Sequence, residues 1–254
     1  GMFVSGMYAA AYFEDEDVEK VVRAGLACIP EASDYHKCIS DVLRWHEEQP
    51  EDWLSVWHKI EDKWQDDVDC GPGDPFNIDA KLNGAYIVMG LLYGGGDLQK
   101  TVEISTRCGQ DADCNPSNAA GVLGCMKGFS GIDPAWLTEL PAMADKEFSH
   151  TRYSFNTLVP ACQRLTEQIV ARAGGRVEDA AYVIPVQAPR APETLEQWPV
   201  EEQKKAFSDP LPQAEVDLWN PAWKVVACER DMEPGIRPDH NGRPVALAVH
   251  PVSE

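Results

Sequence analysis

Residues 78–93 are apolar almost without interruption, and this run constrains the fold more than any other part of the chain. A helix that is apolar on every side cannot face water, so other elements must surround it. The run therefore predicts a central buried helix. Polar residues within the run or next to it include Asn77, Asp79, Asn83 and Tyr86, and we expect some of them to line a cleft beside the loop that follows Cys108.

The segments before this run have the spacing of amphipathic helices. Apolar side chains recur every three or four residues in three stretches: 17–28, 34–49 and 53–64. Pro30 and Pro50 end the first two, and Ser33 is placed to cap the second. The third is rich in tryptophan, which we interpret as core or helix-contact residues, with stacking on a sugar as the alternative.

Further helices are predicted on both sides of the motif at residues 109–115. Asp97 is placed to cap a helix that leads to Cys108. A long helix over 154–173 ends at Gly174-Gly175, and we expect three of its side chains to point inward: Leu158, Leu165 and Ile169. Helices joined by short turns indicate an all-α bundle over residues 2–175.

The most informative motif is Gly-Gln-Asp-Ala-Asp-Cys-Asn at residues 109–115. Asn115 is placed to cap the next helix and Pro116 suits its first turn, so the loop directs the carboxylates of Asp111 and Asp113 at one point. The helix that follows is apolar with small residues at 121, 124 and 128, and it is expected to be buried nearly all round and closely packed. Such a base favours a rigid ligand loop.

Paired aspartates at this spacing have two other interpretations. An EF-hand calcium loop counted from Asp111 requires Gly at its sixth position and Glu at its twelfth, where this chain has Pro116 and Val122. That interpretation is excluded. The remaining alternative is that two solvated aspartates merely favour the positive end of a helix.

The motif resembles that of the ADP-ribosylglycohydrolase family, which is related to the dinitrogenase-reductase-activating glycohydrolases. Residues 109–115 are similar to the family's Gly-Gly-Asp-Thr-Asp-Thr-Asn, and residues 119–124 to its Ala-x-x-Gly-Ala-x-x-Gly helix. Residues 93–97 stand where the family has a Gly-Asp turn. The resemblance implies an all-α multi-helix orthogonal bundle, of which residues 2–175 would be the C-terminal portion.

The resemblance also implies a site with two Mg²⁺ ions that hold the ribose of an ADP-ribosyl group. Asp111 and Asp113 would be metal ligands, with Gln110 and Asn115 beside the substrate. Cys114 would replace a threonine ligand, and because sulfur prefers softer ions, Mn²⁺ or Zn²⁺ is an alternative to Mg²⁺.

This chain departs more strongly from the family in another part of the site. The family has a Thr-Asp-Asp cluster far upstream, which would precede residue 2. The pair Asp66-Asp67 is the only Asp-Asp in this chain, and we interpret it as a solvated loop.

Composition limits the partners of the chain. A net charge of −20 over 254 residues excludes nucleic acid and acidic membranes as partners, because both would be repelled. Residues 2–13 are apolar but too short to span a bilayer and lack a basic flank, so no signal peptide or membrane span is predicted. Six unpaired histidines and eight dispersed cysteines show no zinc-site spacing. Because dispersed cysteines suit free thiols, they favour a reducing, cytoplasmic location.

Composition changes after residue 175. Frequent prolines predict an extended linker over 176–215. A small β-rich extension is predicted over 216–254, with strands at 223–228 and 245–249.

Three functional hypotheses follow. The first is a metal-dependent hydrolase that cleaves the glycosidic bond of an ADP-ribosylated protein or a small ribosyl glycoside. The second is a catalytically incomplete module that binds an ADP-ribose-type ligand or has a regulatory role. The third uses Cys114 as a nucleophile, its thiolate favoured by the helix start.

Overall fold

The computed structural model describes residues 1–65, 78–178 and 181–193. Helices make up most of this part, as predicted. They are α1 (Met2–Ala11), α2 (Val18–Leu26), α3 (Asp34–Glu48), α4 (Trp53–Trp64), α5 (Ala80–Gly94), α6 (Leu98–Arg107), α7 (Cys114–Lys127), α8 (Leu140–Met143) and α9 (Phe155–Arg172). Two 3₁₀ turns, Phe129–Gly131 and Pro134–Leu137, follow α7, and two short strands, β1 (Arg176–Glu178) and β2 (Ala181–Val183), follow α9.

Helix α5 is the centre of the core, which confirms the prediction from the apolar run. Thirteen of its 15 residues are buried. It packs against α2, α3, α4, α6 and α7, so its neighbours surround it on all sides. A helix held in this way is the most rigid support that the fold offers for a functional side chain.

The helix starts follow local capping chemistry. The side chains of Ser33 and Asp97 accept hydrogen bonds from the backbone N–H groups of His36 and Lys100, which confirms both predicted caps. Asp17 and Asp52 cap α2 and α4 in the same way. Each cap satisfies a backbone donor that the helix leaves unpaired.

Helices α5 and α6 cross at close range through glycine. A Cβ added to Gly90 would lie 2.7 Å from the Ser105 Cβ and 2.9 Å from the Thr101 carbonyl oxygen. Ser105 and Thr101 are themselves fully buried. The crossing fixes α6, and α6 leads directly into the motif loop.

A buried carboxylate joins α3 to α4. Asp41 accepts hydrogen bonds from Lys63 Nζ at 2.6 Å, from Arg44 at 2.6 Å and from Trp64 Nε1 at 3.0 Å. Burial raises the pKa of Asp41, but these hydrogen bonds outweigh it and hold the pKa below its ordinary value. The carboxylate is therefore charged and structural.

The prediction that Leu158, Leu165 and Ile169 point inward is wrong for the described part of the chain. Their side chains are 37%, 56% and 65% exposed. Within that part, α9 packs mainly on β1 and β2. Apolar spacing places these side chains on one side of the helix, but it does not reveal whether another element covers that side.

Strands β1 and β2 pair antiparallel at the start of the predicted linker, with Val177 opposite Tyr182. The described helices belong to one unit, Gly1–Gln65 with Ala80–Glu193. Predictions for Asp66-Asp67, Asn77, the strands at 223–228 and 245–249, and the β-rich extension lie outside the described residues. Within the described residues, no helix has the length and apolar character needed to cross a membrane.

Candidate metal site

The motif loop reverses the chain between α6 and α7 through two residues with left-handed backbone. Gly109 has φ +91° and Gln110 has φ +53°. Positive φ is easy for glycine but uncommon for glutamine, so neighbouring contacts must hold Gln110 in place. The loop therefore has one defined backbone conformation, which its contacts maintain.

Helix α7 begins at Cys114, one residue before the predicted cap, so the prediction that Asn115 caps this helix is wrong. Asp113 is the N-cap residue and its side chain makes no cap hydrogen bond. The backbone N–H of Cys114 instead donates to Asp111 Oδ1 at 3.4 Å. Asn115 lies in the first turn with 1% of its surface exposed, because its side chain has a buried partner on α5.

That partner is Asn83, near the start of α5. Asn83 Oδ1 accepts a hydrogen bond from Asn115 Nδ2 at 2.8 Å and another from the Asp111 backbone N–H at 3.1 Å. Asn83 Nδ2 donates to Gln110 Oε1 at 3.3 Å. Asn83 therefore lies beside the loop, as expected, whereas a cleft at this place stays a prediction. Contact of Gln110 and Asn115 with a substrate stays a prediction.

A second contact holds the loop where α6 ends. Trp57 Nε1 donates a hydrogen bond to the Cys108 carbonyl oxygen at 2.9 Å. Trp57 is half-buried, as expected of a helix-contact residue. The loop is thus attached to α4 on one side and to α5 on the other.

Three side chains converge at the tip of the loop. Asp111, Asp113 and Cys114 each offer one ligand atom, and these three atoms all lie within 4.8 Å of one another. Asp111 is half-buried, whereas Asp113 and Cys114 are exposed. The two carboxylates therefore share one small region of the surface, as the spacing of the motif predicted.

The Asp111 carboxylate and the Cys114 thiol affect each other's pKa. Hydrogen bonds with the Asp113 carboxyl and then with the Cys114 thiol lower the pKa of Asp111. The hydrogen bond to Asp111 and its negative charge raise the pKa of the Cys114 thiol. A thiol that stays protonated is a poor nucleophile, which argues against the third hypothesis.

The donor set fits a hard divalent cation in part. Carboxylate oxygens are the ligands that Mg²⁺ prefers, and two of them converge here. A protonated thiol adds little to a magnesium site, because sulfur binds softer ions as the thiolate. Asp111 and Asp113 fit the ion, and Cys114 does not.

Helix α7 is less buried than predicted. Only one of its faces packs inward, with Ala119, Val122, Leu123 and Met126 buried. An added Cβ at Gly121 would meet the Tyr8 hydroxyl, but in the described part nothing lies within 4 Å of one added at Gly124 or Gly128. Close packing therefore accounts for the glycine at position 121 but not for those at positions 124 and 128.

Sequence reasoning singled out Tyr86 but missed its partner Glu61. Tyr86 lies one helical turn after Asn83 on α5 and its hydroxyl donates a hydrogen bond to Glu61. Burial, followed by the nearby Asp62, raises the pKa of Glu61. No local motif distinguishes Glu61 from the other acidic residues, so only the fold could reveal it.

One of three comparisons with known proteins gives a match. The sequence model of the ADP-ribosylglycohydrolase family matches residues 1–173, which include the motif loop, Asn83 and α9. No match was found among curated proteins or among solved structures. The chain therefore belongs to the ADP-ribosylglycohydrolase family, and its general class is that of a glycosidic-bond hydrolase.

Proposed function

We propose that the protein is a metal-dependent hydrolase that cleaves the glycosidic bond of an ADP-ribosyl or related ribosyl substrate, with Asp111 and Asp113 as metal ligands. The observation that carries the proposal is the convergence of these two carboxylates on a loop held by buried helices, inside the region matched by the family. Mg²⁺ is the proposed ion.

The chain's own residues have separate tasks in this proposal. Asp111 and Asp113 bind the ion, and Asn83 and Trp57 hold the loop that carries them. A bound divalent cation would supply electrophilic polarisation of the ribose and neutralise charge that develops as the bond breaks. Because the loop opens to solvent, a sugar and a water molecule can reach the carboxylates without displacing the core.

Two ions, as the resemblance implies, need more ligands than this loop offers. Mg²⁺ takes about six oxygen ligands. Two carboxylates cannot fill even one such shell, so water, substrate oxygens and other protein groups must complete it. Mn²⁺ accepts the same carboxylate oxygens and is somewhat softer than Mg²⁺, and Zn²⁺ becomes competitive only where Cys114 ionises.

Removal of single carboxylates tests the proposal. The substrate is a protein ADP-ribosylated on a known side chain, and the rate of ADP-ribose release is measured with and without Mg²⁺. Asp111→Asn and Asp113→Asn should each lower the Mg²⁺-dependent rate by at least about a hundredfold, because several kcal/mol of charge stabilisation is lost. Asp15→Asn, which changes an exposed aspartate in the turn after α1, is the matched control. Equal rates in all four proteins would refute the proposal.

A second candidate function is an ADP-ribose-binding or regulatory module without turnover. The observation that favours it is the exposed thiol of Cys114 beside the two carboxylates, at the position where the resemblance implies a threonine ligand. Titration calorimetry with ADP-ribose separates the two. Binding without hydrolysis supports the module, and no binding at all opposes both functions.

A further inference from the structure

We infer that Asn83 is a positioning residue that holds the carboxylates of the motif loop in the geometry of metal ligands. The inference rests on the proposed metal site. Asn83 lies on α5, 28 positions before Asp111, and is not itself among the converging ligand atoms. Its effect on the ion therefore has to act through the loop.

The contacts of Asn83 reach both sides of the ligand pair. The Asp111 backbone N–H and the Asn115 side chain donate to the same Asn83 oxygen, at 3.1 and 2.8 Å. The Asn83 nitrogen donates to Gln110 Oε1 at 3.3 Å. Three positions of one short segment are thus fixed by a single side chain, from just before the first carboxylate to just after the last ligand atom.

Burial makes these contacts specific. Asn83 and Asn115 are 8% and 1% exposed, so water cannot readily replace a lost partner. Asn115 Nδ2 also lies 3.4 Å from the Gly109 carbonyl oxygen, which ties the loop's start to the first turn of α7. Removal of the Asn83 amide would take an acceptor from the part-buried Asp111 N–H and leave the buried Asn115 amide with only the longer bond to Gly109, so the loop would have to shift to restore these hydrogen bonds.

A shift of the loop matters because of its backbone. Gln110 has φ +53°, a conformation that its contact with Asn83 helps to hold. Metal ligands must be held within a few tenths of an ångström, and partners that orient ligands typically contribute about 10- to 100-fold to metal affinity. Asn83 is the residue of the rigid central helix that can provide this orientation.

Binding of Mn²⁺ to the 254-residue chain tests the inference. Free Mn²⁺ is followed by its electron paramagnetic resonance signal in the wild type and in Asn83→Leu, which keeps the size of the side chain and removes its hydrogen bonds. We expect the variant to bind Mn²⁺ about 10- to 100-fold more weakly. Amide exchange at Asp111 should also accelerate, because its N–H loses an acceptor. Asn83→Ser, too short to reach the same partners, serves if Asn83→Leu does not fold.

Tyr93→Phe is the matched control. It removes the hydrogen bond from Tyr93 to the Gln49 carbonyl oxygen, on the same helix about 15 Å from Asn83. It should lower stability without changing Mn²⁺ affinity. A purely structural role of Asn83 would make both variants lose affinity in proportion to stability, which would overturn the inference.

The outcomes separate the inference from the proposed function. A wild-type chain that binds no Mn²⁺ at millimolar concentration would refute the metal site, and the inference would fall with it. A wild-type chain that binds Mn²⁺ with the same affinity as Asn83→Leu would overturn the inference alone. Weakened binding in Asn83→Leu together with unchanged binding in Tyr93→Phe supports it.

Discussion

Replacement of Gly90 by alanine should destabilise the protein although alanine is the better helix former. The added Cβ would lie 2.7 Å from the Ser105 Cβ, whereas carbon atoms in contact are about 3.5–4.0 Å apart. The Thr101 carbonyl at 2.9 Å blocks relief by a side-chain rotation, so α5 and α6 must separate. Overpacking costs about 1–3 kcal/mol, and the helix propensity of alanine returns about 1 kcal/mol. The free energy of unfolding should fall by up to about 2 kcal/mol.

The same substitution at Gly124 is the control, because in the described part nothing lies within 4 Å of its added Cβ. There the propensity gain is unopposed, and Gly124→Ala should raise the free energy of unfolding by about 0.5–1 kcal/mol. Urea unfolding followed by far-ultraviolet circular dichroism gives both midpoints, compared at unchanged m value. A higher midpoint for Gly90→Ala would refute the close crossing of α5 and α6.

Three further predictions use single side chains. Asp41→Asn should lower the free energy of unfolding by about 2 kcal/mol at neutral pH. Because the pKa of Asp41 is lowered in the folded protein, this contribution is present above the ordinary pKa of 3.8 and disappears as pH falls through the folded pKa. The urea midpoints of the wild type and the variant should therefore converge at decreasing pH, and a constant difference would contradict the assignment. Leu165→Gln should change stability by no more than about 0.5 kcal/mol in a thermal melt, since that side chain is 56% exposed; a loss above about 2 kcal/mol would contradict its exposure. Cys114→Thr should shift the ratio of Mg²⁺ to Zn²⁺ affinity about tenfold toward Mg²⁺ in titration calorimetry, and an unchanged ratio would exclude Cys114 as a ligand.

The fold was largely predictable because its main signals are local. The apolar run at 78–93 had to be surrounded, and α5 is. The caps at Ser33 and Asp97 depend on side chains that reach only three residues along the chain. The exposed face of α9 was not predictable, because the same apolar spacing describes a helix with or without a neighbour.

The site was predictable to a smaller extent. The convergence of Asp111 and Asp113 follows from their spacing in a tight turn. Asn115 was assigned to a cap because asparagine favours that position locally, yet a buried amide on α5 provides a stronger partner. Contacts across 25 residues or more, such as those of Asn83 with Asp111 and of Tyr86 with Glu61, depend on how helices pack. Local rules contain no information about them.

Removal of the metal should abolish the binding of ADP-ribose, for an electrostatic reason that does not depend on catalysis. The ligand carries a diphosphate, whereas the chain has a net charge of −20 and presents two carboxylates at the proposed site. Without a cation, like charges repel at that surface, and a bound divalent ion reverses the sign of the local charge. Calorimetry with ADP-ribose should therefore give heat in Mg²⁺ buffer and none in chelator, and higher salt should weaken the binding. Reciprocally, ADP-ribose should tighten the binding of Mn²⁺ by the same factor by which the ion tightens the binding of ADP-ribose. An ADP-ribose affinity in chelator equal to that in Mg²⁺ buffer would mean that the ligand and the ion bind at different places. The proposal that Asp111 and Asp113 bind the substrate through a metal ion would then be wrong.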